Sequence, residues 1–147
     1  MSDHPIDTWH RLVRTHDASG IGALLADDAV FHSPVVHAPQ AGRTLVARYL
    51  GAAFDVFFNP SFRYVREIVG ASDAMLEFET EIDGVQVNGV DLLRWNDAGL
   101  IVDFKVMIRP LKAINLIHQR MGAMLQTGQR VDSAPVDDAL PKTSSTP

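Results

Sequence analysis

The chain of 147 residues contains no cysteine. That absence excludes disulfides, thiol catalysis and cysteine-held metals. Basic runs are missing too: Asp and Glu outnumber Lys and Arg by 18 to 13, for a net charge of −5. Nucleic acid and anionic membrane are poor partners for such a surface. No apolar stretch approaches the roughly 20 residues that cross a bilayer. The opening MSDHPIDTWH has no basic region followed by an apolar run, so it does not read as a signal peptide, and a cytoplasmic location is expected. The six histidines show no HExxH or comparable spacing, so neither a metal nor a cofactor is expected.

What is present is ordinary globular material, 46% hydrophobic and long enough for one domain with a sizeable core. A first helix is expected from Pro5 to Thr15. Asp3 stands at its cap position, and proline is favoured in a first turn because its missing N–H has no helical partner there. Ile6, Trp9, Leu12 and Val13 make one apolar stripe. A short helix is expected from Ser19 to Ala26, then a strand from Ala29 to Ser33, stopped by Pro34. Residues 35–42 read as a loop. A helix from Thr44 buries Val46, Tyr49, Leu50, Ala53, Phe54 and Phe57, and Asn59-Pro60 ends it.

From Phe62 the period becomes strand-like. Strands are expected over Phe62–Val69, Ala74–Ile82, Val85–Trp95 and Leu100–Ile108. Leu76, Phe78, Thr80 and Ile82 alternate with Glu77, Glu79 and Glu81, the pattern of a half-buried antiparallel strand. Asp83-Gly84 is a hairpin turn. A last helix, Leu111–Leu125, carries Leu111, Ile114, His118, Met121 and Leu125 on one side. Residues 126–147 have no aromatic and three of the eight prolines. They bury too little to offset their ordering entropy and are expected to be a disordered tail, leaving 1–125 as a single domain.

Helices followed by hairpin-linked strands give an α+β class. The expected architecture is a strongly curved antiparallel sheet wrapped around the N-terminal helices into a cone, plus the C-terminal helix. Two blocks, GIGALLADDAVFHSPVVHAPQAGRTLVARYL (20–50) and VDLLRWNDAGLIVDFKVMIRP (90–110), resemble the nuclear transport factor 2-like superfamily in its SnoaL-like and ketosteroid isomerase-like branch. The resemblance implies a cystatin-like fold with an interior that holds a small hydrophobic molecule. It leaves the reaction open, because one fold hosts isomerases, dehydratases, cyclases and non-catalytic proteins.

Asp91 is the most informative residue. It stands in phase with Leu93 and Trp95 in a strand whose other face carries Val90 and Leu92. A carboxyl so placed is either paired or pushed toward its neutral form. Its position is similar to the oxyanion-stabilising acid of the ketosteroid isomerases. The resemblance sets Trp9 where that family has a tyrosine of the oxyanion hole, and Ser33 where it has the general-base aspartate. A serine without a base of its own cannot take a proton from carbon near neutral pH. An epoxide-hydrolase-like reading wants an arginine two residues before the acid, where this chain has Gly89. His32 falls on the opposite face from Ser33 unless a bulge at Pro34 reverses it, and His37 lies in the loop expected to border the cavity. Phe31, Tyr49, Phe54, Phe78, Leu93, Trp95, Phe104, Val106 and Ile108 are the candidate cavity lining.

Arg94 and Lys105 read as partners in cross-strand ion pairs, and Arg109 as a structural pair with an acid. The apolar outer face, Val90 and Leu92, calls for a homodimer formed through the sheet. Three functions stay open: an isomerase, dehydratase or cyclase using Asp91, a non-catalytic binding or accessory module, and a structural dimer with a filled interior.

Overall fold

The computed structural model describes the backbone of residues 4–132 and the side chains of residues 4–126. Helix α1 spans Pro5–Thr15 and buries Ile6, Trp9 and Leu12. Its cap is His4, whose Nδ1 accepts from the Ile6 N–H at 3.1 Å; Asp3, the expected cap, lies outside the described residues. The helix stops at His16, which turns left-handed at φ 56°. The N–H groups of His16 and Asp17 return to the carbonyls of Val13 and Leu12, closing the helix end with the 6→1 and 5→2 bonds of a Schellman turn. A 3-10 turn, Ala18–Gly20, leads into α2, Ile21–Leu24.

Helix α2 is shorter than expected. Leu25 and Ala26 open strand β1, Leu25–His32, rather than closing the helix. Leu25 pairs in parallel with Ile101, and both are buried, so sheet pairing overrides a local helical preference. The register then slips between Leu25 and Val30. Such a slip bends a strand and here turns Asp27 and Asp28 out to solvent, where Asp27 pairs with Arg43. The loop expected over 35–42 contains a two-residue strand, β2 at Gln40–Ala41, paired with Phe31 and Val30. Helix α3, Arg43–Phe57, follows.

The remaining strands are β3 (Arg63–Val69), β4 (Asp73–Ile82), β5 (Val85–Trp95) and β6 (Ile101–Arg109). They form a single sheet in the order β2-β1-β6-β5-β4-β3. The expected α+β class and hairpin run hold. The sheet is mixed rather than wholly antiparallel, because β1 joins β6 in parallel. The β4–β5 turn places Asp83 at φ 52° and Gly84 at φ 80°, the doubly left-handed turn that matches the twist of a tight hairpin. Further register slips, after Tyr64 in β3 and after Arg94 in β5, add to the curvature.

Helices α1 and α3 pack inside the curve as part of one apolar core. Gly89 lets β5 take up that packing. A Cβ there would stand 2.5 Å from Phe78 Cζ and 2.7 Å from the Met107 carbonyl oxygen, so the absent side chain is what gives the Phe78 ring its place. Helix α4, Leu111–Asp132, closes the open end and runs past the expected stop at Leu125. Residues 126–132 are therefore helical where a disordered tail was expected, and the rest of that tail lies outside the described residues. Core contact comes from Ala113 and Ile117, while Leu111, expected on the buried side, is 70% exposed. The stripe His118, Met121, Gly122 and Leu125 instead lines the interior cavity.

Candidate functional site

The interior of the curve is not filled. It holds a cavity of about 330 Å³, within the lower range of small-molecule sites. Asp91 stands at its wall, 7% exposed. Strand alternation puts it there: β5 sends Val87, Gly89, Asp91, Leu93 and Trp95 inward, and Asp91 faces Leu76 on β4 and Val106 on β6.

Asp91 is paired on one of its oxygens. The Tyr64 hydroxyl donates to Asp91 Oδ2 at 2.7 Å, and the Trp9 indole N–H donates to the Tyr64 hydroxyl at 2.9 Å. Trp9 therefore reaches Asp91 only through Tyr64. An indole nitrogen donates and never accepts, so it fixes the direction of both bonds. With Trp9 occupying a lone pair of the phenol oxygen, the phenol proton points at Asp91. Rings hold the relay: Trp9 meets Phe54 and Phe104 edge-on at 5.5 and 5.0 Å, and Tyr64 meets Phe62 and His10 at 5.2 Å each.

Burial governs the electrostatics. It pushes the Asp91 carboxyl up to about 7, and the Tyr64 hydrogen bond only partly offsets it. Burial, and then the nearby Asp91 charge, holds the Tyr64 phenol well above its ordinary range. Tyr64 thus stays a donor while Asp91 changes state near neutrality. In its neutral state the proton belongs on Oδ1, since Oδ2 already accepts from Tyr64. Among the described residues no fully buried side-chain oxygen lacks a partner, and Asp91 is a cavity-lining residue.

Of the other expected site residues, Phe31, Tyr49, Phe54, Phe78, Phe104, Val106 and Ser33 line the cavity. Ser33, however, is committed to its turn: Oγ accepts the N–H groups of Val35 and Val36 at 3.0 and 3.2 Å. His32 does not reach the cavity. Alternation turns it to the outer face, where Nε2 lies 2.9 Å from Asp103 Oδ1. Leu93, Trp95 and Ile108 belong to the core beyond the cavity lining; Trp95 packs edge-on against His4 at 5.2 Å. His37 is exposed in its loop. On the outer face, ion pairs form between Arg63 and Glu79 and between Arg66 and Glu77, whereas Arg94 stands in register between Asp73 and Asp103. Arg109 reaches the Asn88 side-chain oxygen at 3.3 Å, and its charge acts on Glu77, which Asn88 also bonds.

Sequence reasoning missed Tyr64; it expected the 35–42 loop to border the cavity but did not name the 34–40 or α4 residues as its lining. Tyr64 had a faint signal, its inward phase with Phe62, but the rest of β3 is exposed, so its strand carries little amphipathic pattern. Among the described residues no group of three or more His, Cys, Asp or Glu could hold a metal, and no helix is long and apolar enough to cross a membrane.

A SnoaL-like domain model matches residues 6–104, well over half of the chain. The chain belongs to the SnoaL-like family. A steroid delta-isomerase from Pseudomonas aeruginosa is 35% identical to this SnoaL-like chain, with TM-score 0.81 over 86% of this chain and 92% of that one. An uncharacterized protein with a cystatin-like fold from Silicibacter pomeroyi DSS-3 is 36% identical, with TM-score 0.80 over 88% of this chain and 90% of that one. SalBIII, an epoxide hydrolase/cyclase-like enzyme in salinomycin pyran ring formation, is 16% identical, with TM-score 0.59 over 71% of this chain and 88% of that one. At that identity the likeness speaks for the fold alone. No curated protein matches the chain in sequence.

Proposed function

We propose that this SnoaL-like chain binds a compact, mostly apolar molecule bearing one carbonyl or hydroxyl oxygen. Asp91 meets that oxygen as a neutral hydrogen-bond donor. The observation carrying this reading is the buried carboxyl itself, paired on one oxygen by Tyr64 and raised to about 7 at the wall of an apolar cavity. A neutral acid that donates into a dry site stabilises charge developing on a ligand oxygen far better than water does. The chemistry served is acid–base rearrangement: isomerisation, dehydration or cyclisation. Double-bond isomerisation of a ketone comes first, because a relative 35% identical is named a steroid delta-isomerase.

A second reading, a binding module without turnover, draws on Ser33. Its hydroxyl is committed to the turn, and it supplies no base. The outer face supports a homodimer: Ile68, Val69 and Met107 are 61%, 47% and 50% exposed, beside half-buried Met75, Val90 and Leu92. A second copy would cover them, and sedimentation of the wild type against Met107→Lys tests that.

The test of the site uses 2-naphthol, an apolar phenol whose oxygen mimics an enol. Its affinity is measured by calorimetry for the wild type and Asp91→Asn. The reading expects roughly tenfold weaker binding in the variant, about 1.4 kcal/mol. It also expects wild-type affinity to fall as pH rises through 7. Equal affinities at every pH would remove Asp91 from the site. Binding with no turnover of 5-androstene-3,17-dione or other β,γ-unsaturated ketones would favour the module.

A further inference from the structure

If Ser33 is no base, a proton-transfer site must find one elsewhere on the cavity wall. The cavity-lining side chains that titrate, among the described residues, are Asp91, Tyr49 and His118. Burial raises the Tyr49 phenol, so it remains protonated and takes no proton. Asp91 is tied to Tyr64 and placed to donate. His118 is different. It sits on α4 at the cavity mouth, one helical turn from Met121 and Gly122, which line the same wall.

The other five histidines are all placed away from the cavity lining. His4 caps α1, His10 pairs with Glu67 at 2.8 Å, His16 stacks on Phe58 at 5.6 Å, His32 pairs with Asp103 at 2.9 Å, and His37 is exposed in its loop. His118 has no hydrogen-bond or ion-pair partner among the described residues. It is also exposed while lining the cavity, so it stands where the cavity meets solvent. Histidine is the side chain whose ordinary titration makes it a proton acceptor near neutral pH.

We propose that His118, from the C-terminal helix, is the general base of this cavity, acting on a carbon acid whose oxygen is held by Asp91. The proposal rests on the functional reading above. For a β,γ-unsaturated ketone the step balances without a co-reactant. The imidazole nitrogen takes the proton from the α-carbon, and the C–H pair becomes the enolate double bond. Charge collects on the oxygen that Asp91 hydrogen-bonds. The imidazolium then returns its proton to the γ-carbon, leaving the conjugated ketone. The base thereby moves from the end of β1 to a helix that closes the mouth.

The experiment follows isomerisation of 5-androstene-3,17-dione by the absorbance of its conjugated product, and exchange of the ketone's α-hydrogens in deuterated water by NMR. Wild type, His118→Gln and His118→Ala are compared, each also titrated with 2-naphthol. Expected are a loss of at least roughly a hundredfold in both rates for each variant, naphthol affinity within about twofold of wild type, and partial rescue of His118→Ala by added imidazole. Rates unchanged in His118→Gln overturn the proposal. So does a wild type that binds naphthol yet catalyses neither isomerisation nor exchange, an outcome that leaves the binding reading intact. Rates lost in His118→Ala without imidazole rescue, together with lost naphthol affinity, mark a structural role and overturn it as well. A wild type that binds no naphthol fails the functional reading itself.

Discussion

The cavity floor and the cavity mouth treat their polar groups in opposite ways. At the floor, Trp9, Tyr64 and Asp91 form one directed chain of hydrogen bonds, packed among rings. At the mouth, Ser33 serves the backbone turn and His118 has no hydrogen-bond partner among the described residues. Burial makes the difference. In a low-dielectric floor an unpaired group is costly, so the Trp9 and Tyr64 donors are both assigned and the carboxyl is driven toward neutrality. At a wet mouth an unpaired imidazole costs little, because water can satisfy it. Under the proposed function, the floor holds the acid and the mouth leaves the base accessible, as proton transfer across a cavity needs.

The sharpest break of the floor is Trp9→Ala. It deletes a ring that is 2% exposed together with the donor that orients Tyr64. The expected loss is about 3–5 kcal/mol by urea denaturation, with Asp91 no longer held in one geometry.

Asp91→Asn separates burial from charge. An acid raised from 3.8 to about 7 in the folded state is protonated in the native protein and ionised in the unfolded chain between those values. The native state binds the extra proton, so wild-type stability falls as pH rises from about 4 to 7 and levels off above. Asn does not titrate. The variant should therefore gain on the wild type between pH 4 and 8, by at most on the order of 4 kcal/mol at 1.36 kcal/mol per pKa unit. A difference independent of pH would mean that Asp91 keeps its ordinary titration.

Tyr64→Phe removes the one bond that favours the carboxylate. It should cost about 1.5–3 kcal/mol at pH 8, where the acceptor is charged, and less at pH 5. The Asp91 transition should move upward. Ser33→Ala probes the mouth. Melting should show a loss of roughly 1 kcal/mol from the turn while the Asp91 transition stays in place. His32→Gln lies outside both regions. A partly exposed pair with Asp103 is worth at most about 1 kcal/mol, and naphthol binding should not change.

Strand phase made the floor partly legible in advance. Asp91, Phe78 and Phe104 were placed inward by alternation, Trp9 by helical spacing, and the β4–β5 hairpin by Asp83-Gly84. Tyr64 escaped because β3 is an edge strand, exposed over most of its length, so no period marks its inward end. The start of β1 escaped because Leu25 and Ala26 become strand through pairing with β6, some 75 residues away in sequence, which local preference does not contain. Alternation gives a face but not a depth, so it cannot tell the core positions Leu93, Trp95 and Ile108 from the cavity lining. The mouth was the least legible part. Irregular backbone over 34–40 has no period, and the cavity-facing stripe of α4 differs from its core-facing one by only a small rotation.

The most direct measurement is the titration of the Asp91 carboxyl carbon by 13C NMR in the wild type. The structure predicts a midpoint of about 7, moving higher in Tyr64→Phe. A midpoint near 4 in both proteins, the ordinary aspartate range, would contradict a neutral acid at the cavity floor.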